Sequence, residues 1–218
     1  MNVEINLIIS ILKLTKNGSV SNEILKKDAR VPSQIIEKLL GKLQNDDFVY
    51  LRKSFVDADN IQRLRLAVYA IELGADFEHI CSFLGWKEFE GMAAVILERN
   101  GYSVEKNLWF RHSGKRWEID VAGYKKPIIL CVDCKHWHHG MHPSALKKVA
   151  EAQRKRTMAL AESLPALVGK FEFASWEKAK IVPAVLSLVP GRFKFYDEVP
   201  IIPVLQFNDF INQLPAYA

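Results

Sequence analysis

The sequence predicts an α/β (α+β) protein in which helices and strands are mixed along the chain. Three observations predict this class. Residues 2–58 show three short helical patterns followed by a β pattern, and residues 116–135 form a strand–turn–strand pattern. Beyond it, a long amphipathic helical pattern is followed by further short apolar runs that are typical of strands.

The first region, residues 1–58, begins with apolar residues at helical spacing. This spacing predicts helices over residues 2–14, 22–27 and 34–45, and the run 48–56 predicts a strand that folds into a hairpin. The order, and residues 24–49 in particular, resemble a winged helix-turn-helix domain. In DNA-binding members of that class the third helix enters the major groove. The resemblance implies a contact surface made of Gln34, Lys38, Lys42, Gln44, Arg52 and Lys53, with a solvated surface or a dimerisation wing as open alternatives.

The next region, residues 59–85, is predicted to be a helical connector. Two amphipathic helices, over residues 60–73 and 76–84, end at Gly74 and Gly85. His79 in the second helix is interpreted as a structural or surface histidine. The remaining residues, 86–218, form the second predicted domain.

The strand–turn–strand pattern carries charged residues at a regular spacing. The first strand is predicted over residues 116–123, the turn over 124–127 and the second strand over 128–135. Side chains alternate faces along a strand, so Glu118 and Asp120 are expected on one face, and Asp133 and Lys135 share a face on the second strand. The second strand is otherwise a continuous apolar run, typical of a strand buried on both sides. Charges at its end must therefore pair, bind a cation or face an opening.

These residue types suit metal-assisted cleavage of phosphodiester bonds. Carboxylate oxygens are the ligands that Mg²⁺ and Mn²⁺ prefer, and Mg²⁺ keeps several waters that a phosphate can displace. A lysine beside the second carboxylate can orient the attacking water and offset charge in the transition state.

Asp120, followed by Asp133-Cys134-Lys135 at the end of a buried strand, resembles the PD-(D/E)XK nuclease superfamily. This superfamily includes restriction endonucleases, archaeal Holliday junction resolvases and Mrr-like nucleases. Ile119 stands where the motif has proline. The resemblance implies a restriction-endonuclease-like core, with a mixed central sheet flanked by helices, and a Mg²⁺ (or Mn²⁺) site made by Asp120 and Asp133.

Two flanking helices add to this resemblance. Residues 89–102 resemble the helix that opens the Mrr-like and resolvase-like core, and there Glu90 matches a glutamate that joins the metal site, with Glu88 as a competitor. The helix predicted over residues 144–163 places Gln153 within its apolar stripe. In RecB-like relatives a glutamine on this helix faces the active site, which implies an auxiliary catalytic role for Gln153. Strands over 180–189 and 200–205 and a helix over 208–214 complete the predicted core, with Pro183 indicating an edge or a bulge.

Charge in this region favours a polyanionic partner. The net charge of the chain is +5, but residues 102–160 hold twelve Lys and Arg against five Asp and Glu. The candidates for contact with nucleic acid flank the predicted site in sequence. They are Arg111, Lys115, Arg116, His136, His138, Lys147 and Arg154.

The cysteines and histidines leave a zinc site as an alternative. Cys131 and Cys134 form C-x-x-C before the run 136–142, which holds four histidines. Three residues apart on a strand, however, the two thiols point to opposite faces, so a loop beside the active site is the preferred interpretation. Three cysteines do not make a fully paired disulfide framework, and no apolar run has the length of a membrane span. We therefore expect a cytoplasmic protein.

The sequence thus predicts a metal-dependent DNA nuclease, an endonuclease by resemblance, acting on duplex or branched DNA. Related resolvases and restriction enzymes are dimers, which implies a homodimer. Two alternatives stay open. One is a non-catalytic DNA-binding or regulatory protein on a degenerate nuclease scaffold, and the other is an RNA-processing nuclease.

Overall fold

The chain forms two compact units, Met1–Phe89 and Glu90–Ala218, in a computed structural model that describes residues 2–136, 142–188 and 194–217. The first unit contains both the region predicted as a winged helix and the region predicted as a connector. The boundary falls within helix α6 (Trp86–Arg99). Within the described ranges, no helix is long and apolar enough to cross a bilayer.

The first unit combines five helices with a small antiparallel sheet. The strand order in that sheet is β1-β3-β2. Its elements are α1 (Val3–Leu14), β1 (Val20–Ser21), α2 (Asn22–Ala29), α3 (Ser33–Asn45), β2 (Tyr50–Arg52), β3 (Phe55–Asp57), α4 (Asn60–Glu72) and α5 (Phe77–Ser82). The helices follow the predicted spans within a few residues at each end, whereas the two-residue strand β1 is not predicted. The assignment of this unit as a DNA-binding winged helix stays a prediction.

Side-chain caps define the helix starts in the first unit. Ser21 accepts a hydrogen bond from the backbone N–H of Ile24 at the start of α2. Asp59 and Gln62 form a reciprocal capping box at the start of α4. Such caps satisfy backbone N–H groups that a helix leaves without partners, so they fix where each helix begins.

The second unit is built on a six-stranded mixed sheet, in the order β4-β5-β6-β7-β9-β8. Its strands are β4 (Ser103–His112), β5 (Lys115–Lys125), β6 (Ile128–Lys135), β7 (Lys180–Ser187), β8 (Lys194–Tyr196) and β9 (Val199–Pro203), and its later helices are α7 (Pro143–Leu167) and α8 (Phe207–Tyr217). Pairing is parallel from β6 to β7 and from β7 to β9, and antiparallel elsewhere. The predicted mixed α+β class, with a central sheet flanked by helices, is confirmed.

Helices cover both faces of this sheet. On one face, Leu160 of α7 belongs to a buried cluster with Ala122 of β5 and Cys131 of β6. Gly123 points to the other face, because neighbours on a strand alternate. A Cβ built on Gly123 would lie 2.9 Å from the side chain of Leu97, so glycine is needed for α6 to pack this closely against β5.

Two features of the sheet differ from the prediction. Strand β4 is not predicted by the sequence, and it forms the outer edge beside β5. The indication that Pro183 marks an edge strand is wrong, since β7 lies between β6 and β9. The physical reason is local. The ladder between β7 and β9 includes only Val185–Ser187 of β7, so Pro183 precedes that ladder and its missing N–H interrupts no bond to β9.

Candidate active site

Strands β5 and β6 bring Asp120 and Asp133 together at one end of their shared ladder. The last registered pair is Val121 with Val132, so Asp120 and Asp133 are the next facing residues. The Asp120 carboxylate also accepts a hydrogen bond of 2.9 Å from the backbone N–H of Cys134. The two predicted carboxylates are therefore neighbours across the strands.

Strand β5 is irregular at Asp120. Ile119 and Ala122 both belong to the cluster that packs with α7, although residues three apart on a regular strand point to opposite faces. Asn107, the β4 position that faces Asp120 between two registered pairs, has φ +52. Such a φ is uncommon outside glycine and accompanies local distortion of a ladder. The distortion changes the phase of β5 where the candidate site begins.

Asp133 is buried and contacts two cations. Lys135 Nζ lies 2.7 Å from its Oδ2, and Arg156 of α7 donates a hydrogen bond of 2.5 Å to its Oδ1. The lysine contact is an ion pair but lacks the angles of a hydrogen bond, so Oδ2 has no hydrogen-bond donor within the described part of the chain. The pairing of Asp133 with Lys135 follows the predicted spacing.

Asp120 and Glu118, the two acidic side chains near the site on β5, are in surroundings that disfavour their ionised forms. Burial, followed by repulsion from Asp133, raises the pKa of Asp120 above its ordinary value, although the Cys134 N–H and the nearby Lys135 and Arg156 act against this. Burial and then Asp120 raise the pKa of Glu118 in the same way. A cation bound between these carboxylates would stabilise the ionised form of each.

Glu90 lies near this group, on α6. It is buried, and together with Asp120 and Asp133 it opposes ionisation of the Cys134 thiol, whose pKa burial already raises well above its ordinary value. Glu88, the competing glutamate, instead pairs with Arg63 in the first unit, with 2.6 Å between Oε1 and Nε. Of the two glutamates, Glu90 is the one whose charge acts at the candidate site.

Gln153 contacts both the central strand and Arg156. It is fully buried, donates a hydrogen bond of 2.7 Å from Nε2 to the carbonyl of Cys131, and accepts one of 3.2 Å from Arg156 Nη1. This arrangement holds Arg156 beside Asp133.

The predicted nucleic-acid contacts divide by location. Arg111, Lys115 and Arg116 are exposed at the turn end of the β4–β5 hairpin, and His136 directly follows β6, half-buried. His138 lies outside the described residues. On α7, Lys147 lies 3.8 Å from Glu151, and Arg154 pairs with Asp197 at 3.1 Å. The α7 cations therefore have acidic neighbours on the protein surface.

The residues at this site fit Mg²⁺ or Mn²⁺ in donor type. Asp133 Oδ2 is a buried carboxylate oxygen without a hydrogen-bond donor in the described residues, and Asp120 is destabilised by its negative neighbour. Mg²⁺ in proteins is commonly bound by one or two carboxylates and keeps several waters. Within the described ranges, no three His, Cys, Asp or Glu side chains form a metal-binding group. Asp120 and Asp133, which face each other across β5 and β6, are the carboxylates that would hold the ion, with Glu90 nearby.

Arg156 is the site residue that sequence reasoning did not single out. It lies on α7 one turn after Gln153, and the sequence shows it only as one of several basic residues on that helix. The available signal was its spacing of three from a glutamine in the apolar stripe, which places both side chains on one side of the helix.

A curated relative defines the family of this sequence. An uncharacterized protein of Archaeoglobus fulgidus is 31% identical over 133 residues, which cover 61% of this chain and 93% of the relative. No protein-family model matches the sequence.

Solved structures give weaker similarities. The protein of unknown function AF1548 is matched at 16% identity with a TM-score of 0.33 over 47% of this chain, and the restriction endonuclease FokI at 15% identity with a TM-score of 0.35 over 84%. This chain spans less than half of either structure, 46% and 37% respectively. On the sequence evidence, the chain belongs to the family of the uncharacterized Archaeoglobus fulgidus protein.

Proposed function

We propose that this protein is a metal-dependent DNA nuclease that hydrolyses phosphodiester bonds. The observation that carries the proposal is the pair of carboxylates, Asp120 and Asp133, held together across β5 and β6 with Lys135 2.7 Å from Asp133. A carboxylate pair with an adjacent ammonium group is the donor set that metal-assisted phosphodiester hydrolysis uses.

Each residue has a role that follows from its contacts. Asp120 and Asp133 would hold Mg²⁺ or Mn²⁺, which supplies a Lewis acid and a more acidic bound water. Lys135 is only partly buried at the strand end, so its ammonium group can orient a water and offset negative charge that develops on the phosphate. Arg156, fixed by Gln153, compensates the charge of Asp133 in the protein alone. No covalent intermediate with the chain is required.

The first unit provides a second surface for DNA under this proposal. Lys38 of α3 and Arg52 and Lys53 at the β2–β3 turn are exposed, which suits a winged-helix contact. Lys42, by contrast, pairs with Glu4 at 2.9 Å and donates to Tyr69 Oη at 2.8 Å. Its charge is offset within the unit, so we assign it no contact with DNA. A homodimer stays part of the proposal, by analogy with related resolvases and restriction enzymes.

One observation favours a non-catalytic alternative. Asp133 is compensated by both Lys135 and Arg156, an arrangement that also occurs in ion-pair clusters that only stabilise a fold. Under this alternative the protein binds DNA on a nuclease-like scaffold without cutting it.

The test is cleavage of supercoiled plasmid, linear duplex and branched DNA with Mg²⁺ or Mn²⁺, with structured RNA as a separate substrate. We expect metal-dependent cutting of DNA that is lost in Asp133→Asn and Lys135→Met. Asp197→Asn, which changes an exposed carboxylate on the same unit, is the matched control and should keep wild-type activity. Cutting of RNA alone would move the assignment to the RNA-processing alternative. Binding of DNA without cleavage in either metal would establish the non-catalytic alternative.

A further inference from the structure

The turn end of the β4–β5 hairpin carries an exposed tryptophan and several exposed basic side chains. Trp109 is 39% exposed, and the Arg116 guanidinium lies 3.8 Å from the centroid of its ring. On the same hairpin Lys115 Nζ lies 4.0 Å from the Trp117 ring centroid, and Arg111 faces Arg116 in the ladder. Lys170, which follows α7, donates to the Trp109 carbonyl at 3.3 Å. We call Trp109, Arg111, Lys115, Arg116 and Lys170 the basic hairpin surface.

The cations of the basic hairpin surface lie beside Glu118, which faces Trp109 in the β4–β5 ladder and whose ionisation the charge of Arg116 favours. Within the described part of the chain, none of these four side chains forms an ion pair with an acidic group. On α7, by contrast, Lys147, Arg154 and Arg156 each have an acidic partner. Two arginines placed side by side repel one another, so their juxtaposition costs stability unless an anion binds there.

Three side chains of the basic hairpin surface lie on the same face of the sheet. Trp109 and Arg111 are two apart on β4, and Arg116 faces Arg111 across the ladder, so the three side chains share the face opposite the α7 cluster. Leu108 and Phe110, on the other face, are buried in that cluster. The exposed tryptophan is therefore not part of the core of the second unit.

The chemistry of this surface selects its ligand. Arginine and lysine bind phosphate groups, and an exposed aromatic ring or a guanidinium plane stacks on a nucleobase. Bases in a duplex are already stacked on one another and present only their edges, so a stacking surface of this kind requires unpaired bases. Arg116 lies four residues before Asp120, or about 14 Å along an extended strand, which corresponds to a few nucleotides.

We propose that the basic hairpin surface binds a nucleic-acid strand with unpaired bases, with Trp109 and Arg116 as the stacking pair and Arg111, Lys115 and Lys170 as phosphate contacts. This inference rests on the proposed function only for the nature of the substrate. It extends that function by naming single-stranded or locally opened DNA as the form of the substrate that the second unit binds.

The experiment measures binding without cleavage. The full chain is titrated in EDTA against a fluorescently labelled single-stranded oligonucleotide and against the corresponding duplex, by anisotropy. We expect Trp109→Leu to weaken single-strand binding about tenfold, in line with the loss of one base–aromatic stack, and Trp109→Phe to weaken it less than about threefold. Arg111→Gln should reduce the slope of log K against log salt by about 0.7 on the single strand, as for one phosphate contact.

Trp86→Leu is the matched control, because Trp86 is 61% exposed and lies outside the basic hairpin surface. It should bind as the wild type does. Equal binding by Trp109→Leu and the wild type, or equal losses on single strand and duplex, would overturn the inference. A Trp109→Phe variant as weak as Trp109→Leu would also overturn it, since an aromatic ring would then not be the requirement.

The two proposals fail in distinguishable ways. If Asp133→Asn abolishes cleavage while Trp109→Leu binds single strands as the wild type does, only the basic hairpin surface is rejected. If binding depends on Trp109 but the wild type cuts nothing in either metal, only the nuclease assignment is rejected. An RNA oligonucleotide of the same sequence, titrated in parallel, shows whether the surface prefers single-stranded DNA or single-stranded RNA.

Discussion

Arg156 Nη1 lies 2.5 Å from Asp133 Oδ1, although the two residues are 23 apart in sequence and belong to a helix and a strand. The contact joins α7 to the end of β6 and places a guanidinium group over a buried carboxylate. Asp133 therefore contacts two cationic side chains, Arg156 and Lys135. The neighbouring Asp120 has a pKa above its ordinary value. In the proposed function a metal ion would take over part of this charge compensation.

Arg156→Gln should therefore destabilise the protein more in the absence of a divalent cation than in its presence. Loss of the guanidinium leaves the buried Asp133 with Lys135 alone, which we expect to cost about 1–3 kcal/mol in the free energy of unfolding. Millimolar Mg²⁺ should restore part of this loss, because a bound cation stabilises the folded state. Urea denaturation with and without Mg²⁺ measures both effects.

Arg154→Gln is the control for this experiment. Arg154 pairs with Asp197, and both side chains are more than two-fifths exposed, so the expected cost is about 0.5 kcal/mol or less. If Arg156→Gln costs no more than Arg154→Gln, the contact with Asp133 does not compensate a buried charge.

The parts of this site that sequence predicts are those set by local periodicity. The two-residue alternation of strands predicts that Asp133 and Lys135 share a face, and the strand–turn–strand pattern predicts that Asp120 lies close to Asp133. The predicted shared face of Glu118 and Asp120 is interrupted, because the phase of β5 changes between Ile119 and Ala122. The structure brings Asp120, Asp133 and Lys135 together. The role of Arg156 is not predictable from the sequence, because its contact with Asp133 depends on how α7 is rotated and shifted on the sheet. Only tertiary packing decides that placement.

Strand β4 is not predicted from the sequence because its apolar pattern is weak and interrupted. Its apolar residues Leu108 and Phe110 alternate, but Asn107, with a positive φ, interrupts the pattern after Val104. An edge strand with one exposed face has few apolar residues, so the two-residue alternation that identifies a strand is weak in β4. The aromatic and basic side chains of the hairpin were consequently predicted only as residues flanking β5, and Trp109 was not singled out.

The buried cysteines should be unreactive in the folded protein. Burial raises the pKa of both Cys81 and Cys131 to about 12, and it raises that of Cys134 well above its ordinary value. Since the thiolate is the nucleophile, iodoacetamide at pH 8 should leave all three unmodified in the native state and alkylate all three in urea. Mass spectrometry after brief labelling measures this, and rapid native alkylation of Cys131 or Cys134 would contradict their placement within β6.

The buried ion pair of the first unit should be one of the most sensitive positions in the chain. Arg63 pairs with Glu88 at 2.6 Å and also donates to the carbonyls of Leu12 and Phe83. Arg63→Met leaves Glu88 buried without its cation, which we expect to cost about 3–5 kcal/mol in the free energy of unfolding. The double variant Arg63→Met with Glu88→Leu should recover part of that loss, because no buried charge remains uncompensated.

Arg65→Met is the control for this double-mutant cycle. Arg65 lies two residues away on α4, and its partner Asp47 is 69% exposed, so the expected cost is about 1 kcal/mol or less. Equal destabilisation by Arg63→Met and Arg65→Met, or a double variant that is no more stable than Arg63→Met, would contradict a buried charge pair. Chemical denaturation followed by circular dichroism provides the measurement.

Asp120→Asn should stabilise the protein at neutral pH, and the gain should disappear in acid. Burial and Asp133 raise the pKa of Asp120 above its ordinary value of 3.8, so the folded state keeps a proton that the unfolded chain has released. Stability from this group is therefore present below pH 3.8 and is lost as pH rises through the folded-state pKa. The amide of the variant can still accept the hydrogen bond from Cys134 N–H, so the loss of charge is the main change.

The same variant tests whether the raised pKa belongs to a metal site. Mg²⁺ binds the ionised carboxylate, so the stabilisation that Mg²⁺ gives the wild type should grow with pH through the folded-state pKa of Asp120 and be much smaller in Asp120→Asn. Denaturation curves across a pH series, with and without Mg²⁺, separate the two effects. An Asp120→Asn protein that is less stable than the wild type at pH 7 would show that the charge of Asp120 is needed by the fold. A Mg²⁺ effect equal in the two proteins would instead show that the cation binds elsewhere, and the carboxylate pair would then stand as an ion-pair cluster with Lys135 and Arg156.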